Sequence, residues 1–215
     1  MSEQIWTKEL CRKYADGLRP IVKYDHGRIA QMIIKKIENK ADLVVVDIAS
    51  GPGFLLLELS KYLENPKLIV HDSSLLMLEI AGEEAAKYGK EILTCESPAE
   101  SINLENDVAD IVVCKQLLHE AENPELVVSE ICRIMQKGSK GFIIDFDKEG
   151  SKTAAIMIRI LMYFVGGKEL SKSFWKSFTS GLQGNIIVQY LKTNNMTNVE
   201  YIKSGANYFI SFEKP

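Results

Sequence analysis

Two glycines and two carboxylates follow apolar runs at positions where they could hold a ligand. The stretch "VVVDIASGPGF", residues 44–54, passes from three valines through Asp47 to Gly51 and Gly53. Glycine lets a backbone turn sharply and approach a ligand closely. Asp72 follows the next apolar run about twenty residues later, where an acidic side chain can accept hydrogen bonds from ribose hydroxyls. This pattern predicts a nucleotide or nucleoside site.

The glycine turn lacks the features that phosphate binding requires. A dinucleotide fingerprint G-x-G-x-x-G that begins at Gly51 needs a third glycine at position 56, where Leu56 stands. No Lys-Ser/Thr pair follows the glycines, so the phosphate loop G-x-x-x-x-G-K-[ST] is absent too. A ribose contact without a phosphate loop indicates a nucleoside.

Three motifs in order resemble those of the class I S-adenosylmethionine-dependent methyltransferases. "DIASGPG" resembles their first motif, and "HDSSLLMLEIA" resembles their second, in which the acid at Asp72 holds the ribose. Residues 96–146 resemble the third to fifth motifs of the small-molecule branch, and the menaquinone and ubiquinone biosynthesis type is the nearest. The resemblance covers residues 40–147. It implies a methyltransferase with S-adenosyl-L-methionine as cofactor and S-adenosyl-L-homocysteine as product.

The resemblance also implies which residues contact the cofactor: Asp47, Ala49, Ser50, Gly51, Gly53, Asp72, Ser73, Pro98, Ala99, Glu100, Lys115 and Gln116. Two of them depart from the family pattern. Ala49 replaces the first glycine, which is tolerable provided that position 49 does not need a positive φ. Pro98 stands where the family often has an aspartate that contacts the adenine amino group. We therefore expect adenine recognition to use backbone groups near residues 97–99, or Glu100.

His119 is the candidate catalytic residue, because it follows the fourth predicted strand where family members often have a histidine. It could act as a base or contact the substrate, or it could pack against or cap the next helix. Methyl transfer needs a base only when the acceptor is a hydroxyl or a protonated amine, so the use of a base stays open. His71, beside Asp72, is expected to flank the ribose or to face solvent.

Aromatic and methionine side chains outside the core are the candidate substrate contacts. Tyr24 and His26 precede the first long helix, and in this branch N-terminal aromatic residues often fold over the methionine end of the cofactor. The alternative is a plain helix start with Asp25 as its cap. The other candidates lie in an apolar insertion that could equally pack in the core: Met162, Tyr163 and Trp175. No metal site is expected.

Apolar periodicity predicts helices that alternate with strands. Strands are predicted at 43–48, 67–70, 91–95, 108–116 and 141–146, and helices at 26–40, 54–64, 74–89 and 123–138. Parallel strands need such crossovers, so we predict an α/β fold with a Rossmann-like, seven-stranded, mostly parallel sheet and helices on both faces. Residues 199–214 predict a C-terminal antiparallel β-hairpin around the turn "SGAN".

We expect one methyltransferase domain over residues 1–215. Its parts are an N-terminal helical cover (1–40), a cofactor-binding core (41–147), a helical lid insertion (148–192), and a terminal helix end with the hairpin (193–215). The cysteines are scattered without a C-x-x-C pair, which argues against a zinc site or disulfides and fits a reducing compartment. The first residues lack a signal-peptide pattern, so we expect a cytoplasmic protein, either monomer or homodimer.

Charge is unevenly distributed along the chain. The net charge is -3, but residues 41–147 carry -12, whereas residues 1–40 carry +4 and residues 152–192 carry +5. The two basic segments are the ones expected to cover the substrate. We therefore predict a small-molecule substrate that is apolar with an anionic group, or one presented at an anionic surface. No run of apolar residues is long enough to span a bilayer, and peripheral membrane contact stays open.

Two other functions are compatible with the cofactor motifs. One is an RNA- or tRNA-modifying methyltransferase, and the other is a non-catalytic regulatory domain that binds S-adenosylmethionine. The overall acidity, the lack of an appended RNA-binding module and the missing (N/D)-P-P-(Y/F) tetrapeptide argue against nucleic acid as a partner. Residues 114–117 read Cys-Lys-Gln-Leu at the corresponding position.

Overall fold

A computed structural model describes residues 8–38 and 41–215. The chain divides into two compact units, an N-terminal unit (Met1–Pro98) and a C-terminal unit (Ala99–Pro215). Part of the predicted helical cover, residues 1–7 and 39–40, lies outside the described residues. The interpretation of residues 1–215 as one methyltransferase domain stays a prediction.

The N-terminal unit alternates helices and strands as the apolar periodicity predicts. Its elements are α1 (Lys8–Leu18), α2 (Val22–Ile34), β1 (Val44–Ile48), α3 (Phe54–Leu59), β2 (Lys67–Asp72), α4 (Leu75–Lys87) and β3 (Leu93–Glu96). β2 pairs in parallel with both β1 and β3. Val45 and Val46 of β1 lie on opposite faces of the strand and are both buried, which explains its continuous apolar run.

The C-terminal unit begins with a parallel strand pair and ends with the predicted hairpin. Its elements are β4 (Ala109–Lys115), α5 (Pro124–Ile134), β5 (Met135–Phe146), α6 (Lys152–Ser180), α7 (Gly184–Thr193), β6 (Thr197–Ser204) and β7 (Asn207–Glu213). β5 pairs in parallel with β4, and β7 pairs antiparallel with both β5 and β6. Gly205 has a φ of 64° in the two-residue turn between β6 and β7. The "SGAN" turn is therefore confirmed.

The seven strands form a sheet with the order β3-β2-β1-β4-β5-β7-β6. The pairings within each unit are parallel up to β5, and those of the terminal hairpin are antiparallel. The prediction of a Rossmann-like, mostly parallel, seven-stranded sheet with a C-terminal hairpin is confirmed.

Some predicted helix boundaries are wrong. The helix predicted at 26–40 is α2 (Val22–Ile34), so Tyr24 and His26 lie inside it and do not precede it. The helix predicted at 123–138 ends at Ile134, and Met135 begins β5 without a connecting loop. Gly138 has a φ of 78° inside that strand and donates its N–H to the carbonyl of Lys214, so it does not end the helix.

The helical insertion predicted at 152–192 is present as two helices, α6 and α7. α6 is kinked at Gly167, where φ is 76°. Glycine adopts this left-handed backbone without steric cost, which allows the kink.

Candidate functional site

The glycine turn after β1 is joined to the carboxylate that ends β2. The N–H of Gly51 donates to Oδ2 of Asp72 at 2.9 Å, and the N–H of Ser74 donates to Oδ1 at 2.9 Å. Burial raises the pKa of Asp72, while the N–H groups of Ser74, Gly51 and Ser73 oppose that rise. A carboxylate has about four acceptor positions, so these N–H groups leave acceptor capacity for a ribose hydroxyl.

Asp47 and Ser50 close the other side of the same turn. The hydroxyl of Ser50 donates to Oδ2 of the buried Asp47 at 2.8 Å, and the N–H of Gly53 donates to the carbonyl of Ser50 at 3.0 Å. Asp47 therefore orders the turn from within, as its position at the end of β1 suggests.

His71 is buried and connects two loops of the N-terminal unit, so it does not face solvent. Its Nδ1 accepts the N–H of Ala49 at 3.4 Å, and its Nε2 lies 3.1 Å from Oγ of Ser97. Burial lowers the pKa of His71 to about 4, so the imidazole is neutral near pH 7. The neutral ring accepts at Nδ1 and donates at Nε2. His71 therefore holds the glycine turn against the loop after β3.

The two glycines of the turn have different neighbours. Gly51 has a φ of 54°, and among the described residues an added Cβ would meet only Cε1 of Tyr14, at 4.0 Å. Gly53 has a φ of 75°, and a Cβ there would lie 3.3 Å from Cβ of Ala81 in α4. The described residues therefore leave Gly51 loosely packed and partly exposed, so that a ligand can approach it, whereas Gly53 allows the turn to pack closely on a helix.

Ala49 has a φ of 51°, so the condition that position 49 should not need a positive φ is not met. A side chain in the left-handed region costs about 1–2 kcal/mol relative to glycine. The chain retains this conformation because the N–H of Ala49 reaches His71 and the N–H of Ser50 reaches the carbonyl of His71 at 2.9 Å. Position 49 therefore adopts the left-handed backbone that the family's glycine would favour, although the residue here is an alanine.

The other predicted residues of this unit differ in exposure. Ser73 and Pro98 are exposed at the ends of β2 and β3. His26 is buried on α2, where its ring meets the ring of Phe54 edge-on at 6.1 Å. Tyr24 is 80% exposed, whereas Tyr14 lies beside Gly51. Sequence reasoning missed Tyr14, although Cys11, Tyr14 and Ala15 mark a core-facing side of α1.

In the C-terminal unit, His119 forms a buried pair with Asp145 at the end of β5. Nδ1 of His119 lies 2.7 Å from Oδ1 of Asp145, and the N–H of His119 donates to Oδ2 at 3.2 Å. Nε2 of His119 lies 3.5 Å from Oε1 of Glu120. Burial alone would lower the pKa of His119, but hydrogen bonds and the charges of Asp145 and Glu120 raise it to about 9. The ring is therefore an imidazolium near pH 7.

Sequence reasoning missed Asp145, which fixes both the ring and the backbone of His119. Its available signal was a carboxylate inside the apolar strand "GFIIDF". A charge in such a strand needs a partner, since a buried unpaired carboxylate is costly. The partner could not be named from sequence, because His119 lies in another loop.

The remaining predicted cofactor contacts of the C-terminal unit lie at the end of β4 and in the loop after β3. Gln116 follows β4 with a φ of 57°, and its Oε1 accepts from Nζ of Lys115 at 3.2 Å. Ala99 is buried and Glu100 is partly buried in the loop after β3. A second left-handed residue directly after a strand marks a constrained loop of the kind found at functional sites.

The predicted substrate residues of α6 do not share one face. Trp175 packs on Phe178 at 5.7 Å, and the guanidinium of Arg159 lies over its ring at 4.8 Å. Met162 is partly buried, whereas Tyr163 is 55% exposed and contacts the exposed Phe164. Their role in substrate binding stays a prediction.

The N-terminal unit fits a nucleoside cofactor by its own geometry. No described side chain packs tightly on Gly51, and the Asp72 carboxylate keeps acceptor capacity next to it. Among the residues that the structure describes, no group of three or more histidine, cysteine or acidic side chains is placed to hold a metal ion.

Residues 39–193 match the family model of a methyltransferase domain, and the chain belongs to this family. Together with the fold, this match confirms the predicted class, the class I S-adenosylmethionine-dependent methyltransferases, and its cofactor, S-adenosyl-L-methionine.

Solved structures with the same fold cover almost the whole chain. A Methanococcus maripaludis protein described as an S-adenosyl-L-methionine-dependent methyltransferase has a TM-score of 0.75 at 22% identity and covers 100% of this chain and 96% of its own. A SAM-dependent methyltransferase from Aquifex aeolicus has a TM-score of 0.70 at 20% identity and covers 96% and 97%. At these identities the likeness describes the fold.

Curated relatives match the chain over part of their length. The uncharacterized methyltransferase YcgJ of Bacillus subtilis is 27% identical over 134 residues, which are 62% of this chain and 52% of the relative. The chloroplastic 2-methyl-6-phytyl-1,4-hydroquinone methyltransferase 1 of Oryza sativa is 27% identical over 139 residues, 65% of this chain and 36% of the relative. The chain thus spans about half or less of the length of these relatives.

Proposed function

We propose that the chain transfers the methyl group of S-adenosylmethionine to a small molecule that is apolar and bears an anionic group. The observation that carries the cofactor half of the proposal is the hydrogen bond between Gly51 and the Asp72 carboxylate, at a turn that the described residues leave loosely packed. Rice and spinach relatives named for a phytyl hydroquinone support an apolar small-molecule acceptor.

The N-terminal unit contributes binding and orientation. Asp72 would accept the ribose hydroxyls, and the backbone at Gly51 would lie along the methionine part, with the ring of Tyr14 beside it. His71 and Asp47 hold the turn in place before the ligand arrives, so little ordering remains to be done on binding. The cofactor supplies a methyl group on a sulfonium, which is transferred by in-line displacement.

His119 is better suited to fix the loop after β4 than to remove a proton. A group with a pKa of about 9 is protonated near pH 7, so its ring cannot accept a proton from the acceptor. Nδ1 of the ring faces Asp145 at 2.7 Å and Nε2 faces Glu120 at 3.5 Å, so both N–H groups and the positive charge are directed at carboxylates. We therefore assign His119 a positioning role, and the acceptor's own anion acts as the nucleophile.

The proposed cofactor site can be tested by titration calorimetry with S-adenosylmethionine and S-adenosylhomocysteine. We expect binding to the wild-type chain, and a loss of about tenfold or more in affinity for Asp72→Ala, since the hydrogen bonding of the carboxylate to the ribose disappears. Asp110→Ala, a carboxylate of β4, serves as the matched control. If neither compound binds the wild type at micromolar concentration, the proposal fails.

The acceptor is tested by product analysis with small-molecule phenolates and carboxylates that carry apolar tails. Methylated product from one of these classes is the expected result. Cofactor binding without turnover on any acceptor would instead indicate a non-catalytic binding domain. Methylation of tRNA, with an affinity that falls steeply with salt, would indicate the RNA-modifying alternative.

A further inference from the structure

The first half of α6 exposes a continuous apolar face. Six large side chains recur at positions i, i+1, i+4, i+5, i+7 and i+8 and therefore share one side of the helix. Their exposed fractions lie between 48% and 80%: Ile156, Met157, Ile160, Leu161, Tyr163 and Phe164. Single exposed apolar residues are ordinary, but a contiguous patch of this kind marks a binding surface.

The opposite side of the same helix already has its partner. Ala155 is fully buried in a cluster with Phe146 and Phe178, and Ile158 packs against that cluster. The exposed face is therefore not the core-facing stripe of an amphipathic helix. It is a second apolar surface, which the described residues of the C-terminal unit leave in solvent.

The charge of α6 indicates what covers this face. The helix contains five exposed basic residues and one acidic residue, Glu169, in its sequence. The basic residues are Lys152, Arg159, Lys168, Lys172 and Lys176. Cationic side chains beside an apolar, aromatic face are the composition of helices that lie in the interface of anionic bilayers.

A second copy of this chain fits the face less well. A two-fold dimer brings the same patch of both copies together, so two helices of net charge +4 would oppose each other. An anionic bilayer presents the opposite charge together with apolar depth. No helix among the described residues is long and apolar enough to cross a membrane, so α6 would lie along the surface.

We propose that residues 153–164 of α6 dock on the surface of a bilayer that contains anionic lipid. The six apolar side chains enter the boundary between headgroups and acyl chains, to a depth of about 5–10 Å. The kink at Gly167 separates this arm from the second arm, which carries Lys168, Lys172 and Lys176. Binding of this kind needs neither cofactor nor acceptor, so it is independent of the proposed function.

Co-sedimentation of the full chain with vesicles tests the proposal. The vesicles contain phosphatidylcholine alone or phosphatidylcholine mixed with phosphatidylglycerol. We expect binding to the mixed vesicles that weakens with salt. Met157→Ser with Phe164→Ser should lower the partition coefficient by about tenfold or more, because both exposed anchors are lost. Leu126→Ser with Ile202→Ser removes two side chains, each 43% exposed, outside α6 and should leave binding unchanged.

Charge reversal tests whether the basic side chains of α6 contribute to bilayer binding. Lys152→Glu with Lys168→Glu should reduce binding to the mixed vesicles by about tenfold or more. The proposal is overturned if the wild type stays in solution with both kinds of vesicle, or if the Met157 and Phe164 variant binds like the wild type. Light scattering that shows a wild-type dimer and a monomeric Met157 and Phe164 variant would assign the face to a second copy and also overturn it.

Discussion

At the scale of single residues, the cofactor loop depends on left-handed backbone at three positions in five. Ala49, Gly51 and Gly53 have φ values of 51°, 54° and 75°. Only the glycines adopt this conformation without steric cost. Ala49 is held there by hydrogen bonds to His71, so the loop contains local strain at the position where the family has glycine.

Replacing Ala49 with glycine should therefore stabilise the protein. The strain energy that is relieved should outweigh the entropic cost of glycine's greater flexibility in the unfolded chain. We therefore expect a gain of about 0.5–1 kcal/mol in the free energy of unfolding. Urea denaturation measures it. The control, Ala86→Gly at an exposed position in the last turn of α4, should lose up to about 1 kcal/mol. Equal losses in both variants would mean that position 49 is not strained.

Tyr14 and Tyr24 provide a second test at this scale. Tyr14 lies beside Gly51, whereas Tyr24 is exposed on α2. We expect Tyr14→Ala to weaken S-adenosylmethionine binding by about tenfold, because an aromatic contact to the ligand is lost. Tyr24→Ala should have no effect in the same calorimetric titration. If Tyr24→Ala weakened binding and Tyr14→Ala did not, Tyr24 would be the residue that covers the cofactor, as the sequence alone suggests.

At the scale of elements, apolar periodicity predicted the strands and most helices because each buries an uninterrupted face. It failed where one element passes into the next without a loop, as at Ile134 and Met135. It also could not find Tyr14 or Asp145, since each acts on a residue distant in sequence. Asp72 was predictable because its place at a strand end is sufficient to bring it to the loop.

The pairing of β5 with β7 depends on a glycine that no motif marks. Gly141 lies opposite Phe212, and an added Cβ would overlap the fully buried Phe212 ring. Gly141→Ala should therefore cost about 1–3 kcal/mol in the free energy of unfolding. An added Cβ at Gly82 in α4 meets no heavy atom of the described residues within 4 Å, so Gly82→Ala should gain about 0.5–1 kcal/mol. A neutral Gly141→Ala in urea denaturation would show that the ring can move aside.

At the scale of the whole molecule, two buried histidines give stability opposite dependences on pH. The folded pKa of His71 is about 4, below its ordinary value of 6.5, because burial disfavours the charged ring. Below pH 6.5 the unfolded chain therefore binds a proton at this ring, whereas the folded chain leaves the ring neutral. The folded pKa of His119 is about 9, so the folded chain keeps a proton above pH 6.5 that the unfolded chain releases.

These two histidines should place the stability maximum of the wild type near pH 6.5. His71 makes the free energy of unfolding fall as pH drops from 6.5 towards 4, and His119 makes it fall as pH rises from 6.5 towards 9. Each of these two decreases in the free energy of unfolding, the acid limb below pH 6.5 and the alkaline limb above it, should amount to about 1–3 kcal/mol. Urea denaturation across this range, with His71→Gln and His119→Gln, separates the limbs. His71→Gln should flatten only the acid limb, and His119→Gln only the alkaline limb. Parallel profiles for all three proteins would contradict this assignment, because the other titrating groups are common to them.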